Sequence, residues 1–152
     1  MPAPVIADFL SRKRLAVVGV SRDPGDFSRA LFRELLGRGY DAVPVNPRGG
    51  TIEDRAAVGR VQDVRPPVEG AIVLTPSETT ETVVRDCAEA GVTRVWLHRG
   101  AGRGAVSEAA VRFCRERGIA VVPGECPFMF LEGAGLLHRV HGFFRRLHRR
   151  PA

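Results

Sequence analysis

Arg48 stands where its chemistry would matter most. It lies in Asn46-Pro47-Arg48-Gly49-Gly50, a turn that follows the apolar run Ala42-Val43-Pro44-Val45. The forked guanidinium of an arginine matches phosphate oxygens. A protein that grips the ribose hydroxyls of NAD usually ends the equivalent strand with Asp or Glu. No carboxylate stands here, so the turn suits a ribose that itself carries phosphate, as in NADP or at the 3′ position of coenzyme A. The plainer reading is a surface arginine in a glycine-rich turn. A second stretch, Gly19-Val20-Ser21-Arg22-Asp23-Pro24-Gly25-Asp26-Phe27-Ser28, is glycine-rich and polar and leads into a helical pattern. Backbone N–H groups at a helix start attract phosphate. It is not the G-x-G-x-x-G fingerprint, because Ser21 stands where a glycine would be needed, and it also reads as an ordinary strand–helix turn.

These residues need a frame. Residues 15–20 form a short apolar run, the mark of a buried strand. Residues 28–36 carry apolar side chains at helical spacing, ended by Gly37 and Gly39. Residues 42–45 predict a second strand, whose Pro44 places it at an edge or at a strand end. Residues 70–75 predict the third strand, and Pro76 opens a helix that Gly91 closes. Residues 94–97, 107–117 and 119–122 predict strand, helix and strand. Residues 5–11 read as a leading helix and 135–147 as a trailing one. Short strands that are almost wholly apolar are buried on both faces, as in a parallel sheet covered by helices. The expected fold is therefore α/β, a Rossmann-like doubly wound parallel sheet in a single domain over residues 1–132, followed by a basic helix and tail over 133–152. In such sheets ligands bind at the carboxyl ends of the strands. Three further turns should open on that edge: Leu74-Thr75-Pro76-Ser77, Leu97-His98-Arg99-Gly100 and Pro123-Gly124-Glu125-Cys126-Pro127.

Composition narrows the function classes. A chain of 152 residues with 44% hydrophobic and 26% charged residues is ordinary for one globular domain. No apolar run approaches the roughly 20 residues that span a bilayer, and the N-terminus lacks the pattern of a secretion signal, so a cytoplasmic location is expected. Cys87, Cys114 and Cys126 are too dispersed for a disulfide framework or a zinc site, and the first two read as buried helix residues. The net charge is +6, but Arg139, Arg145, Arg146, Arg149 and Arg150 all follow the last acid, Glu132. The body before them is near neutral, which argues against a nucleic-acid surface. His138 and His141 have no evident third ligand, so no metal site is expected.

The turns, in order, resemble those of small CoA-binding proteins related to the CoA-binding domain of the succinyl-CoA synthetase alpha subunit, over roughly residues 10–130. Gly19, Gly25 and Phe27 match the first turn. Asn46-Pro47-Arg48-Gly49-Gly50 is similar to the family's Pro-x-Lys-Gly-Gly segment, which implies that Arg48 meets the CoA 3′-phosphate. Residues 70–76 resemble the strand and proline turn on the adenine and pantetheine side. Residues 123–127 resemble Gly-Pro-Asn-Cys-Pro-Gly. His98 stands where small members often carry Gln, and Arg22 replaces a glycine. The resemblance implies coenzyme A as cofactor, free or acylated, held by Gly19, Val20, Ser21, Arg22, Pro24, Gly25, Ser28, Asn46, Pro47, Arg48, Thr75, Pro76, His98 and Cys126. Cys126 is either a plain turn residue or a thiol near that of pantetheine, able to form a mixed disulfide with it. The ligase's phosphorylated histidine belongs to a second domain with no counterpart here, so the implied role is binding without catalytic residues.

Three rivals remain beside it. An NADP(H)-binding redox sensor would also use Arg48. A hydrolase would need Ser21 as nucleophile, but residue 23 is Asp where G-x-S-x-G requires Gly. The tail could serve a partner, because Leu136, Leu137, Val140, Phe143, Phe144 and Leu147 make one apolar helical face. Homo-oligomerisation is left open.

Overall fold

The computed structural model describes residues 3–100 and 102–131. The trailing helix expected over 135–147 lies outside the described residues. Helix α1 (Ala3–Ser11) leads into β1 (Arg14–Val18), α2 (Phe27–Gly37) and β2 (Asp41–Val45). A small hairpin follows, β3 (Thr51–Ile52) and β4 (Arg55–Ala56), then a 3-10 turn at Val61–Asp63. The chain continues through β5 (Gly70–Val73), α3 (Ser77–Glu89), β6 (Arg94–His98), α4 (Glu108–Glu116) and β7 (Ala120–Glu125). The main sheet has the order β2-β1-β5-β6-β7, and every pairing in it is parallel. This is the expected doubly wound α/β sheet.

Strand alternation splits the core into two layers. Leu15 and Val17 of β1 face α1 and α2, where they meet Phe9, Leu31, Phe32 and Leu35. Ala16 and Val18 face the other way, toward Val84 and Cys87 of α3 and Phe113 and Cys114 of α4. Cys87 and Cys114 are thus buried on helix faces, as expected. Burial pushes their thiols up to about 12 and about 11, so neither is a ready nucleophile.

The helix starts are chemically defined. Asp26 caps α2 by accepting from the Ser28 N–H at 2.9 Å, and Ser107 caps α4 through the Ala110 N–H. Such caps satisfy donors that the helix itself leaves orphaned. Pro76 precedes α3 without a side-chain cap, and the helix begins one residue later than the sequence predicts. The sheet's two outer strands, β2 and β7, each contain a proline, Pro44 and Pro123. In β2 the Pro44 carbonyl points outward, where it accepts the Val58 N–H at 2.9 Å. The missing N–H of Pro44 lies on that same outer side and removes nothing from the ladder to β1.

Candidate functional site

The strand order reverses between β1 and β5, because the chain winds from β1 outward to β2 and then crosses to β5. A doubly wound sheet opens a crevice at such a switch point, on its carboxyl edge. Here Gly19 follows β1 with φ +95, and a Cβ on it would sit 3.1 Å from the Thr75 nitrogen and 3.2 Å from the Leu74 carbonyl carbon. Only glycine allows the two turns to approach so closely.

Beside that contact lies a cavity of about 470 Å³. Val18, Val45, Val61 and Val83 contribute apolar walls, and Gly19, Pro47 and Thr75 lie on its rim with Arg60, Glu78 and Thr79. The cavity therefore joins predicted residues from the first, second and third turns. The Thr75 hydroxyl oxygen is buried and has no hydrogen-bond partner among the described residues, a polar group that a ligand or water would satisfy.

The first turn spends most of its donors on itself. Ser28 accepts the Ser21 N–H at 2.8 Å and donates its single hydroxyl proton to Asp26 at 2.6 Å. Ser21 accepts the Asp23 N–H, and Asp23 accepts the Gly25 N–H. Ser28 and Gly25 thus shape the turn, and Ser28 has no proton left for a phosphate. Among the described residues no hydrogen bond engages the N–H of Val20 or of Arg22. Pro24 is exposed, and its carbonyl accepts from Arg33 at 3.1 Å.

Arginine and asparagine side chains tie the first turn to the second. The Asn46 amide donates to the Val20 carbonyl at 3.1 Å, while its oxygen accepts the Arg48 N–H at 2.9 Å. Arg22 donates to the carbonyls of Arg48 and Gly49 at 2.9 and 2.8 Å. Asn46 is therefore a brace rather than a free ligand group. Arg48 is exposed, and no hydrogen bond among the described residues uses its guanidinium.

Sequence reasoning missed the group that anchors this assembly. Arg29, buried in the first turn of α2, pairs with Glu53 of the β3–β4 hairpin, with the Arg29 Nε 3.1 Å from the carboxylate. The same guanidinium donates to the carbonyls of Ser21 and Arg22 at 3.3 and 3.0 Å. The hydrogen bond from Arg29 holds the Glu53 carboxyl below the usual range, against the opposing effect of desolvation. Arg60, Val61 and Thr79 were also missed as cavity residues; no local pattern announces them.

Farther along the same edge stand His98 and Cys126. The His98 ring lies 4.9 Å from Phe27, at the start of α2, and Phe27 meets Phe128 edge-on at 5.5 Å. Burial lowers the His98 pKa, which keeps the imidazole neutral near pH 7, and its Nε2 has no partner among the described residues. Cys126 is buried, and desolvation raises its thiol. A protonated, buried thiol favours the turn-residue reading of Cys126 over the reactive one. Gly19, Pro47 and Thr75 thus share one cavity, Arg22, Asn46 and Arg48 belong to the hydrogen-bonded brace between the first and second turns, and His98 and Cys126 lie apart at the β6 and β7 ends.

Comparison with known proteins matches the profile of a CoA binding domain to residues 13–132. The chain belongs to that CoA binding domain family. It is 30% identical over 122 residues to the protein YneT of Bacillus subtilis (strain 168), spanning 80% of this chain and 87% of that one. It is 30% identical over 86 residues to the alpha subunit of ADP-forming acetate–CoA ligase I of Pyrococcus furiosus, spanning 53% of this chain but 19% of the ligase subunit. Among solved structures, a hypothetical protein from Pyrococcus horikoshii OT3 superposes with a TM-score of 0.77 at 24% identity, over 84% of this chain and 87% of that one. That last likeness concerns the fold. No helix among the described residues is long and apolar enough to cross a membrane.

Proposed function

We propose that this CoA-binding-domain protein binds coenzyme A or an acyl-CoA along the carboxyl edge of its sheet. The observation that carries the reading is Arg48: an exposed guanidinium with no internal hydrogen bond, on a turn held in place by Asn46 and Arg22. Where an NAD protein would offer a carboxylate, this turn offers a cation. The ligand's base occupies the cavity between the first three turns, where apolar walls and the Thr75 hydroxyl receive it. Val20 and Arg22 contribute free N–H groups for phosphate, and Pro76 shapes the third turn beside the cavity. The pantetheine arm runs toward His98 and Cys126. The role is binding and orientation, with no catalytic residue assigned.

Calorimetric titration tests this directly. CoA should bind more tightly than NADP or NAD, and equal or tighter NADP binding would overturn the assignment in favour of a redox-sensing module. Arg48→Ala should weaken CoA by about 10- to 150-fold, as expected for hydrogen bonds to a charged group contributing roughly 1.5–3 kcal/mol. Dephospho-CoA, which lacks the 3′-phosphate, should bind wild type and variant nearly alike. Equal weakening of both ligands would make Arg48 a structural residue.

The proposed site uses no residue after Cys126. Truncation after Glu132 should leave CoA affinity within about tenfold, or ~1.4 kcal/mol. A truncated protein that keeps its circular dichroism but loses CoA would place the tail in the site.

A further inference from the structure

The cavity at the switch point carries a charged group that the phosphate contacts do not use. One wall of its roughly 470 Å³ is the face of α3 that bears Thr79, Thr82, Val83 and Asp86, a spacing of three, four and seven that shares one side of a helix. Asp86 follows Ser77, the first residue of α3, by nine positions, so it stands about 13 Å along the helix from the sheet's carboxyl edge. Its side chain is only 25% exposed. The Gln62 amide nitrogen donates to Asp86 Oδ1 at 2.8 Å and to Glu89 Oε2 at 2.8 Å, and Arg60 reaches the same Oδ1 at 3.4 Å. Two carboxylates leave that amide one orientation, since its oxygen cannot face either of them. Among the described residues no hydrogen bond engages Asp86 Oδ2.

We propose, on the CoA reading given above, that Asp86 sets the specificity for the base: its Oδ2 accepts a hydrogen bond from the exocyclic amino group of a 6-aminopurine seated in the cavity. Charge selects both the group and its direction. A carboxylate beside apolar walls attracts an N–H donor and repels phosphate. The base therefore enters toward Asp86, and the phosphates stay at the edge with Arg48 and the first turn. Glu78, the other acid on this cavity, is exposed and stands two turns nearer the start of α3. Gln62 and Arg60 occupy Oδ1 and so fix which oxygen is offered to the ligand. A 6-oxopurine turns a carbonyl oxygen toward Oδ2 and is rejected, because a site built to pair an N–H discriminates against the analogue that lacks it.

Calorimetric titration of the full-length protein with CoA, and with the counterpart in which hypoxanthine replaces adenine, tests the assignment. Wild type should bind CoA about tenfold or more tightly than the hypoxanthine counterpart, as expected for a hydrogen bond to a charged group. This comparison needs no variant. Asp86→Asn should reverse the order of the two ligands. Gln62 presents only N–H groups to position 86, so the asparagine oxygen turns to Gln62 and its NH2 faces the cavity, where it opposes an amine and donates to a 6-oxo group. A reversal is a gain for one ligand, which damage to the fold does not produce. Equal wild-type affinities for the two coenzymes would overturn the assignment and leave CoA binding standing. So would an Asp86→Asn protein that loses affinity for both alike, or a reversal produced by Glu78→Gln in place of Asp86→Asn. Wild-type protein that binds neither coenzyme would overturn the CoA reading itself, and this assignment with it.

Discussion

Gly19→Ala is expected to cost the fold about 2–5 kcal/mol and to abolish measurable CoA binding. Two costs combine. A non-glycine residue held in the left-handed region costs about 1–2 kcal/mol, and Gly19 has φ +95. The added Cβ also meets backbone atoms of the third turn at 3.1 and 3.2 Å. Forcing a methyl into a packed site typically costs a further 1–3 kcal/mol or so. Because those neighbours are backbone, they can move only by parting β1 from β5, which opens the switch point where the ligand's base is proposed to lie. Gly39→Ala supplies the control, since Gly39 has φ +89 but nothing within 4 Å of its added Cβ. Its loss in denaturant midpoint should correspond to the backbone cost alone, about 1–2 kcal/mol. Equal losses at the two positions would mean that the close approach of the turns contributes nothing.

Arg29→Ala should destabilise the protein by about 2–4 kcal/mol, between the values for exposed and for fully buried pairs. The substitution strips Glu53 of its main partner and releases the carbonyls of Ser21 and Arg22. The pH dependence identifies the cause. Glu53 has a depressed folded-state pKa, so its contribution is fully present above the unfolded value of about 4.3 and is lost as pH falls through the lower folded value. The stability gap between wild type and Arg29→Ala should therefore be widest near neutrality and narrow below about pH 4. A gap that does not change with pH would trace the loss to packing instead. CoA affinity measured at neutral pH should fall as well, because the first turn loses its anchor.

Much of this architecture is legible in the sequence. Each parallel strand announces itself as an apolar run closed by glycine or proline, and Pro44 limits β2 to an edge or a strand end, of which the strand order shows the edge. The five turns could be placed on one edge because a parallel sheet puts all its carboxyl ends together. The β3–β4 hairpin could not be read. Its strands have two residues each, too few to show a period, and its turn places Glu53 and Asp54 at φ +48 and +63. Positive φ at both positions is normally signalled by Asn-Gly, and Glu-Asp carries no such signal. The Arg29–Glu53 pair inherits that opacity, since one partner stands on the hairpin. In the first turn, glycine content correctly marks the tight chain path. It does not reveal that Ser28 and Asp26 consume the donors a phosphate would use, because a residue type does not record which neighbour its proton serves.

The prolines of the two outer strands bear on how copies of this protein can meet. A sheet extends from one molecule to the next when an outer strand offers an unbroken row of N–H and C=O groups. On β2 that row is interrupted at Pro44, and the Pro44 carbonyl and the Asn46 N–H beside it are already taken by Val58 of the same chain. On β7, Pro123 removes one donor, and the ladder to β6 is already irregular where Leu97 gives way to His98. Neither margin templates a further strand. Self-association of this domain must therefore proceed through helix or loop surfaces, and fibre-like polymerisation by strand addition is resisted at both ends of the sheet.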